Sequence, residues 1–238
     1  APSEHHTKPP ARFTEASLVK TLEERGIGRP STYASIIQTV QDRGYVWKKG
    51  GALVPTLTAF AVTQLLESYL GTLVDYEFTA RMESDLDTIC NGEKEAVPWL
   101  KEFYFGENSD QVQELEPEEL VAKSVQEIGL KTKIAGGAAN IDARLVSSVT
   151  LGPLPEGDGE VAARVGRYGP YLQIDDTNRR AYIPDDLALD ELDVEEATRL
   201  IREAELANRE VGKHPELNVP VYVKSGRYGP YVQLGDPE

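Results

Sequence analysis

Apolar positions near the start of the chain recur with helical spacing. Leu18, Val19 and Leu22 form one stripe, and Tyr33, Ile36, Ile37 and Val40 fall at i, i+3, i+4 and i+7. The spacing predicts two short amphipathic helices within residues 13–45. Thr14 is placed to cap the first, and Gly26 and Gly28 interrupt the pattern as a tight turn would. Pro30 and Ser31 restart it, proline suiting a first helical turn and serine a cap. Arg29, Ser31, Thr32, Ser35 and Gln38 are left facing outward. A helix start with free N–H groups, two hydroxyls and a guanidinium is a ready anion site. A polar face that merely meets water fits the periodicity equally well. Residues 45–48 and 52–55 then read as strands around Lys49-Gly50-Gly51, a hairpin with a basic tip. Helix, turn, helix, basic hairpin is the order of a winged helix, a common DNA-binding layout.

Further along, residues 57–70 read as a helix with Leu57, Ala61, Leu65 and Tyr69 on one side. Residues 78–91 read as another, with Phe78, Met82, Leu86 and Ile89 inward and Gly92 as its stop. Trp99, Leu100, Phe103 and Tyr104 predict an apolar cluster. Asp85 and Asp87 are spaced like a metal-binding pair, but i and i+2 diverge on a helix, so they read as a solvated face. Residues 106–118 are acidic and poor in large apolar side chains, the composition of a connector.

From Leu120 the pattern turns to strands and turns, with an internal repeat. Residues 151–173 align with 211–233 at a constant offset of 60 without a gap, and GRYGPY is identical at 166–171 and 226–231. Each copy predicts a strand entering and a strand leaving a Gly-Pro turn. Residues 193–207 read as a helix between the copies. An arginine beside two tyrosines on a hairpin offers a phosphate partner and stacking faces, the equipment of single-strand binding. The competing possibility is that both tyrosines pack a small β core; a split is expected, one ring inward and the other outward with the arginine.

The net charge of −15 opposes non-specific duplex binding, so its distribution matters. Residues 1–50 carry +3, 51–120 carry −12, 121–183 carry +1, 184–210 carry −7, and 211–238 are neutral. The acid is confined to two blocks, away from the proposed DNA contacts. No run approaches the length of a membrane span, and no signal peptide opens the chain. The single cysteine, Cys90, excludes an internal disulfide and a four-cysteine zinc ribbon, and suits a reducing cytoplasm. His5 and His6 have no carboxylate-rich neighbourhood that would make them metal ligands.

KPPARFTEASLVKTLEERGIGRPSTYASIIQTVQDRGYV, residues 8–46, resembles the segment that follows the active-site region of bacterial type IA DNA topoisomerases. The GRYGPY repeat, with the lead-in ANIDARLVSSVTLG at 139–152, resembles the C-terminal repeats of the actinobacterial-type enzymes, which bind DNA through such units without zinc. The resemblance implies a family that cuts one DNA strand, passes another and reseals, and places Arg12 against the DNA strand. That family's nucleophilic tyrosine sits in an arginine-threonine-aspartate-serine context, which this chain lacks, and its magnesium is held by an acidic cluster not found here. The chain alone is therefore expected to be inactive and to carry no cofactor, with magnesium belonging to the whole enzyme.

The expected architecture is α+β. An α-rich winged-helix-like DNA-binding domain spans 1–106 and an acidic linker 107–119. Small α/β repeat domains on a few antiparallel strands follow at 120–187 and 188–238, the second open to being truncated. Expected DNA contacts are Arg12, Arg29, Ser31 and Thr32 in the first domain. In the repeats they are Arg167, Tyr168, Tyr171, Arg227, Tyr228 and Tyr231. The partner is DNA, mainly single-stranded, in the cytoplasm on the nucleoid, with no membrane. Two alternatives stay open: a freestanding winged-helix protein, and a module whose acidic blocks recruit a basic partner such as RNA polymerase.

Overall fold

The computed structural model describes residues 10–107, 119, 122–139, 141–155, 157–207, 209–226 and 229–235. Packing divides the chain into two units: residues 1–55 with 63–141, and residues 56–62 with 142–238. His5 and His6, and most of the acidic connector, lie outside the described residues.

In the first unit, α1 (Glu15–Glu24) and α2 (Tyr33–Asp42) precede an antiparallel hairpin of β1 (Val46–Lys49) and β2 (Ala52–Pro55). Thr14 caps α1 as expected: its hydroxyl accepts the Ser17 N–H and the Ser17 hydroxyl accepts the Thr14 N–H. The hairpin tip is the pair Gly50–Gly51, both at positive φ (57° and 88°), which two side-chain-bearing residues would resist. β2 also bonds the chain ahead of α1, the Leu53 N–H donating to the Phe13 carbonyl at 2.7 Å. Tyr33, Ile37, Leu53 and Val54 are buried, so the apolar stripe of α2 faces inward as its spacing requires.

The start of α2 differs from expectation. Ser31 is not the cap; the helix begins at Tyr33 after a turn, with Thr32 preceding it and making no capping bond. The Thr32 hydroxyl instead bonds backward, accepting the Arg29 N–H at 2.9 Å and donating to the Arg29 carbonyl at 3.0 Å.

α3 (Leu57–Val74) runs further than the pattern predicted. By length and composition alone it suffices for a membrane span, at mean hydropathy 1.2, which corrects the expectation that no such run exists. Leu70 leaves helical geometry at φ −136°, so α3 is two helices across a kink rather than one rod. α4 (Tyr76–Cys90) is capped by Asp75, which accepts the Phe78 N–H, and stops at Gly92. Phe78 is buried, but Leu86 is exposed, because α4 buries a narrower stripe than its four apolar positions span. α5 (Ala96–Phe105) splits the expected cluster: Trp99 stacks on Phe103 at 5.5 Å while Leu100 and Tyr104 are exposed. Asp85 and Asp87 do reach solvent, at 40% and 58% exposure, but both are paired. Asp85 accepts from Trp99 Nε1 and Lys94 Nζ, both at 2.9 Å, and Asp87 accepts from Arg29.

Where strands were expected after Leu120, a helix stands instead, α6 (Val125–Ala139), packed on α5 and kinked at Gly129. Its glycines read as turns in isolation, but packing on α5 overrides that propensity. Lys133 on α6 is buried, and its ammonium donates to the Lys123 carbonyl at 2.5 Å; burial pushes its pKa down against the pull of Glu127.

The second unit opens with a single helical turn, α7 (Ala143–Val146), and then the repeat. β3 (Ser148–Pro153), β4 (Glu160–Gly166), β5 (Gly169–Ile174) and β6 (Arg180–Tyr182) form one antiparallel sheet in sequence order. After α8 (Val194–Ala207), β7 (Arg209–Lys213), β8 (Pro220–Gly226) and β9 (Gly229–Leu234) form another. The offset of 60 survives into the pairing: Val161↔Ile174 becomes Val221↔Leu234, and Gly166↔Gly169 becomes Gly226↔Gly229. Even the register shift on the first strand recurs, at Thr150/Gly152 and at Glu210/Gly212. The core lies between the first sheet and α8, with Val161, Ala163, Leu172 and Ile174 against Ala197 and Ile201. The architecture is mixed α+β with small antiparallel sheets, as expected.

Candidate nucleic-acid interface

The turn in the first GRYGPY motif is Arg167-Tyr168, not the Gly-Pro that the sequence suggested. Gly166 and Gly169 pair across it, and Pro170 already lies in β5, opposite Val165. The two residues most useful for binding a polynucleotide are thus the two the strands cannot bury. Both are exposed, and the Arg167 guanidinium sits 5.6 Å from the centre of the Tyr168 ring.

Strand alternation then sorts the following residues. Leu172 and Ile174 point into the core, so Tyr171 and Gln173 fall on the opposite face. Tyr171 lies across Gly166: a Cβ there would meet the ring at 2.8 Å, so that glycine is what lets the ring lie flat on the sheet. Register places Arg164 on one side of Tyr171 and Tyr182 on the other. Arg180 reaches back over the Tyr171 ring at 5.7 Å. Its neighbour Arg179 goes the other way and bonds Glu205 on α8 at 2.6 Å, which holds its guanidinium firmly charged.

The two motifs meet in a cleft of about 370 Å³. One wall carries Arg167, Tyr168, Tyr171, Arg180 and Tyr182 from the first repeat, and the other carries Lys224 and Tyr231 from the second. Tyr231 and Lys224 are cross-strand partners. Of the residues expected to contact DNA, Arg167, Tyr168, Tyr171 and Tyr231 converge here, while Arg227 and Tyr228 lie outside the described residues. The expected split, one tyrosine of each pair in the core, is corrected: Tyr168 is 68% exposed, Tyr171 is half-buried on the sheet's outer face, and Tyr231 is 49% exposed, because strand alternation turns Leu172 and not Tyr171 to the core. Arg180, Tyr182 and Lys224 were missed. For Arg180 and Tyr182 the signal was the period-2 alternation that puts every second residue of β5 and β6 on the face of Tyr171, and for Lys224 it was the offset of 60 from Arg164.

The other four expected contacts lie in the first unit. Arg12 is half-buried, and Ser31 and Thr32 are exposed. Arg29 is engaged by Asp87 at 2.7 and 3.1 Å, with Glu83 at 3.7 Å and the Gly28 carbonyl at 2.6 Å. Asp87 raises the guanidinium's pKa above its ordinary value. Its charge is thus matched within the protein. Asp85 and Asp87 are committed to Lys94, Trp99 and Arg29, and no cluster of three or more His, Cys, Asp or Glu forms among the described residues. The described residues therefore do not fit a magnesium site.

Residues 1–101 match the sequence model of the DNA topoisomerase family, and residues 154–210 and 214–236 match the topoisomerase C-terminal repeat. DNA topoisomerase 1 of Streptomyces coelicolor is 50% identical across 98% of this chain, and that of Mycolicibacterium smegmatis 48% across 98%. The chain belongs to the bacterial DNA topoisomerase family. It corresponds to a C-terminal part of the actinobacterial-type enzyme and spans about a quarter of the length of those relatives, 24% and 25%. The Synechococcus elongatus DNA topoisomerase 1 is 43% identical over 97% of the chain. Among solved structures, full-length topoisomerase I from Thermotoga maritima aligns over 76% of this chain and 26% of its own, at 30% identity and TM-score 0.48. The first repeat match takes in β4, β5, β6 and α8, and the second takes in β8 and β9.

Proposed function

We propose that this chain is the strand-holding part of a type IA topoisomerase that relaxes negatively supercoiled DNA by single-strand cleavage, strand passage and resealing. The chain binds single-stranded DNA and performs no chemistry itself. The nucleophilic tyrosine and the magnesium belong to the remainder of the enzyme, acting in the cytoplasm on the nucleoid.

The observation that carries this reading is the cleft, where four tyrosines and three cations from two repeats line one path. Unpaired bases have exposed faces that stack on such rings, at about 1–3 kcal/mol per base. Stacking of that size tolerates a chain whose net charge is −15. The helix–turn–helix–hairpin segment, read as winged-helix-like, supplies a second contact face through Arg12, Ser31 and Thr32. Arg29 joins it when its pair with Asp87 opens. A freestanding regulator and an acidic recruitment module are disfavoured, since topoisomerase family models account for both ends of the chain.

The test is a salt titration of oligo-dT binding, read by fluorescence anisotropy. Arg167→Ala with Arg227→Ala should weaken binding at least tenfold and flatten the log–log salt slope by about 0.7 per arginine lost. Affinity and slope unchanged by the double substitution would overturn the reading.

A further inference from the structure

Behind Tyr171, on the same outer face of the first sheet, lies a second basic depression that the cleft does not include. Arg144 of α7, Arg164 of β4 and Arg180 of β6 line it, with one carboxylate, Asp176, from the turn between β5 and β6. A single oxygen of Asp176 engages both Arg144 and Arg164, the latter at 3.6 Å. Arg164 is the unusual member. Its side chain is only 15% exposed, and its Nε is buried without a hydrogen-bond partner. The residue opposite it on β3, Ser148, has a buried hydroxyl in the same condition. Of the two, Arg164 lines the cationic depression, and its orphaned Nε is hydrogen-bonding capacity that the protein leaves unused.

We propose that Arg144 and Arg164 form a phosphodiester subsite for which Asp176 is an internal stand-in, displaced when a nucleic-acid strand binds. The proposal rests on the single-strand reading of the cleft and adds a gate to it. Tyr171 lines both the cleft and this depression, so a base stacked there sits beside the place its own backbone phosphate would take. Asp176 is 71% exposed and Arg144 59%, so their pair is a surface ion pair, of the weak kind that is readily exchanged. A backbone phosphate carries two non-bridging oxygens, one for each guanidinium, whereas a single Asp176 oxygen engages both here, and guanidinium groups bind such oxygens in parallel pairs. The gate belongs to the first repeat: the offset of 60 puts Lys224 and Asp236 in the positions of Arg164 and Asp176, but Ala204 in that of Arg144.

Oligo-dT binding to the 238-residue chain, followed by anisotropy across a salt series, tests this. Asp176→Asn should tighten binding about threefold to fivefold, the size of a surface ion pair. Arg144→Ala should weaken it by a similar factor and lower the salt slope by about 0.7. In the Arg144→Ala background, Asp176→Asn should tighten binding by a smaller factor than in the unaltered chain, since only Arg164 is left for Asp176 to guard. Glu195→Gln on α8, beyond the opposite face of the sheet, controls for net charge and should change nothing. Equal tightening by Asp176→Asn and Glu195→Gln, or no response to Asp176→Asn and Arg144→Ala, would overturn the gate while leaving the cleft standing. No binding by the unaltered chain would overturn both.

Discussion

The two repeats share strand order, register and even the position of their bulge, yet one has a core and the other has an open face. Leu172 and Ile174 are 0% and 2% exposed, whereas their equivalents Val232 and Leu234 are 68% and 48% exposed. The difference is α8, which lays Ala197 and Ile201 against the first sheet. Pairing is thus written into the strands and the GRYGPY turn, while burial depends on the helix that covers them. The outer faces differ less: each keeps a tyrosine opposite a cation, Tyr171 with Arg164 and Tyr231 with Lys224. The face proposed to hold DNA is therefore the one that does not depend on the core.

The comparison breaks most visibly in stability. Ile201→Ala should cost the first repeat about 2–5 kcal/mol, as truncation of a fully buried side chain does. Val232→Ala at the exposed equivalent of Leu172 should stay within about 0.5 kcal/mol. Urea denaturation of both variants decides the matter, and similar losses would mean the second sheet is covered after all.

Binding should respond at the outer face. Tyr171→Ala should weaken oligo-dT binding by roughly the 1–3 kcal/mol of one stacked base, with little change in melting. Gly166→Val acts on the same ring from below, since its new Cβ would sit 2.8 Å from Tyr171. It should tilt the ring and weaken binding by a smaller factor than Tyr171→Ala does. If binding by the glycine variant were unchanged, the ring's orientation would not matter to the grip.

The smallest effect belongs to the helical unit. Lys94 and Trp99 hold the Asp85 carboxyl below its usual range. A carboxylate depressed in the folded state adds stability above its ordinary pKa of about 4 and loses it as pH falls through the folded value. Asp85 is 40% exposed, so the contribution should stay below about 1 kcal/mol. Asp85→Asn should remove it, so that in chemical denaturation this unit loses correspondingly less stability as pH falls below about 4.

Much of this was legible in the sequence where local chemistry decides. The Gly50–Gly51 tip, the Thr14 cap, the stop at Gly92 and the offset of 60 each have a short-range cause. What was not legible depends on partners distant in the chain. Asp87 is invisible as the partner of Arg29 because 58 residues separate them. Helix α6 was hidden by its glycines, since packing on α5 decides its state. At the interface, the motif named Arg167, Tyr168 and Tyr171, but Arg164, Arg180 and Tyr182 join them only through the register of β4, β5 and β6.

Photo-crosslinking of the chain to oligo-dT, with the adducts mapped by mass spectrometry, tests the central claim most directly. Adducts at Tyr168, Tyr171 or Tyr182 on one wall and Tyr231 on the other are the predicted result. Adducts confined to residues 12–49, with none on the four cleft tyrosines, would contradict it.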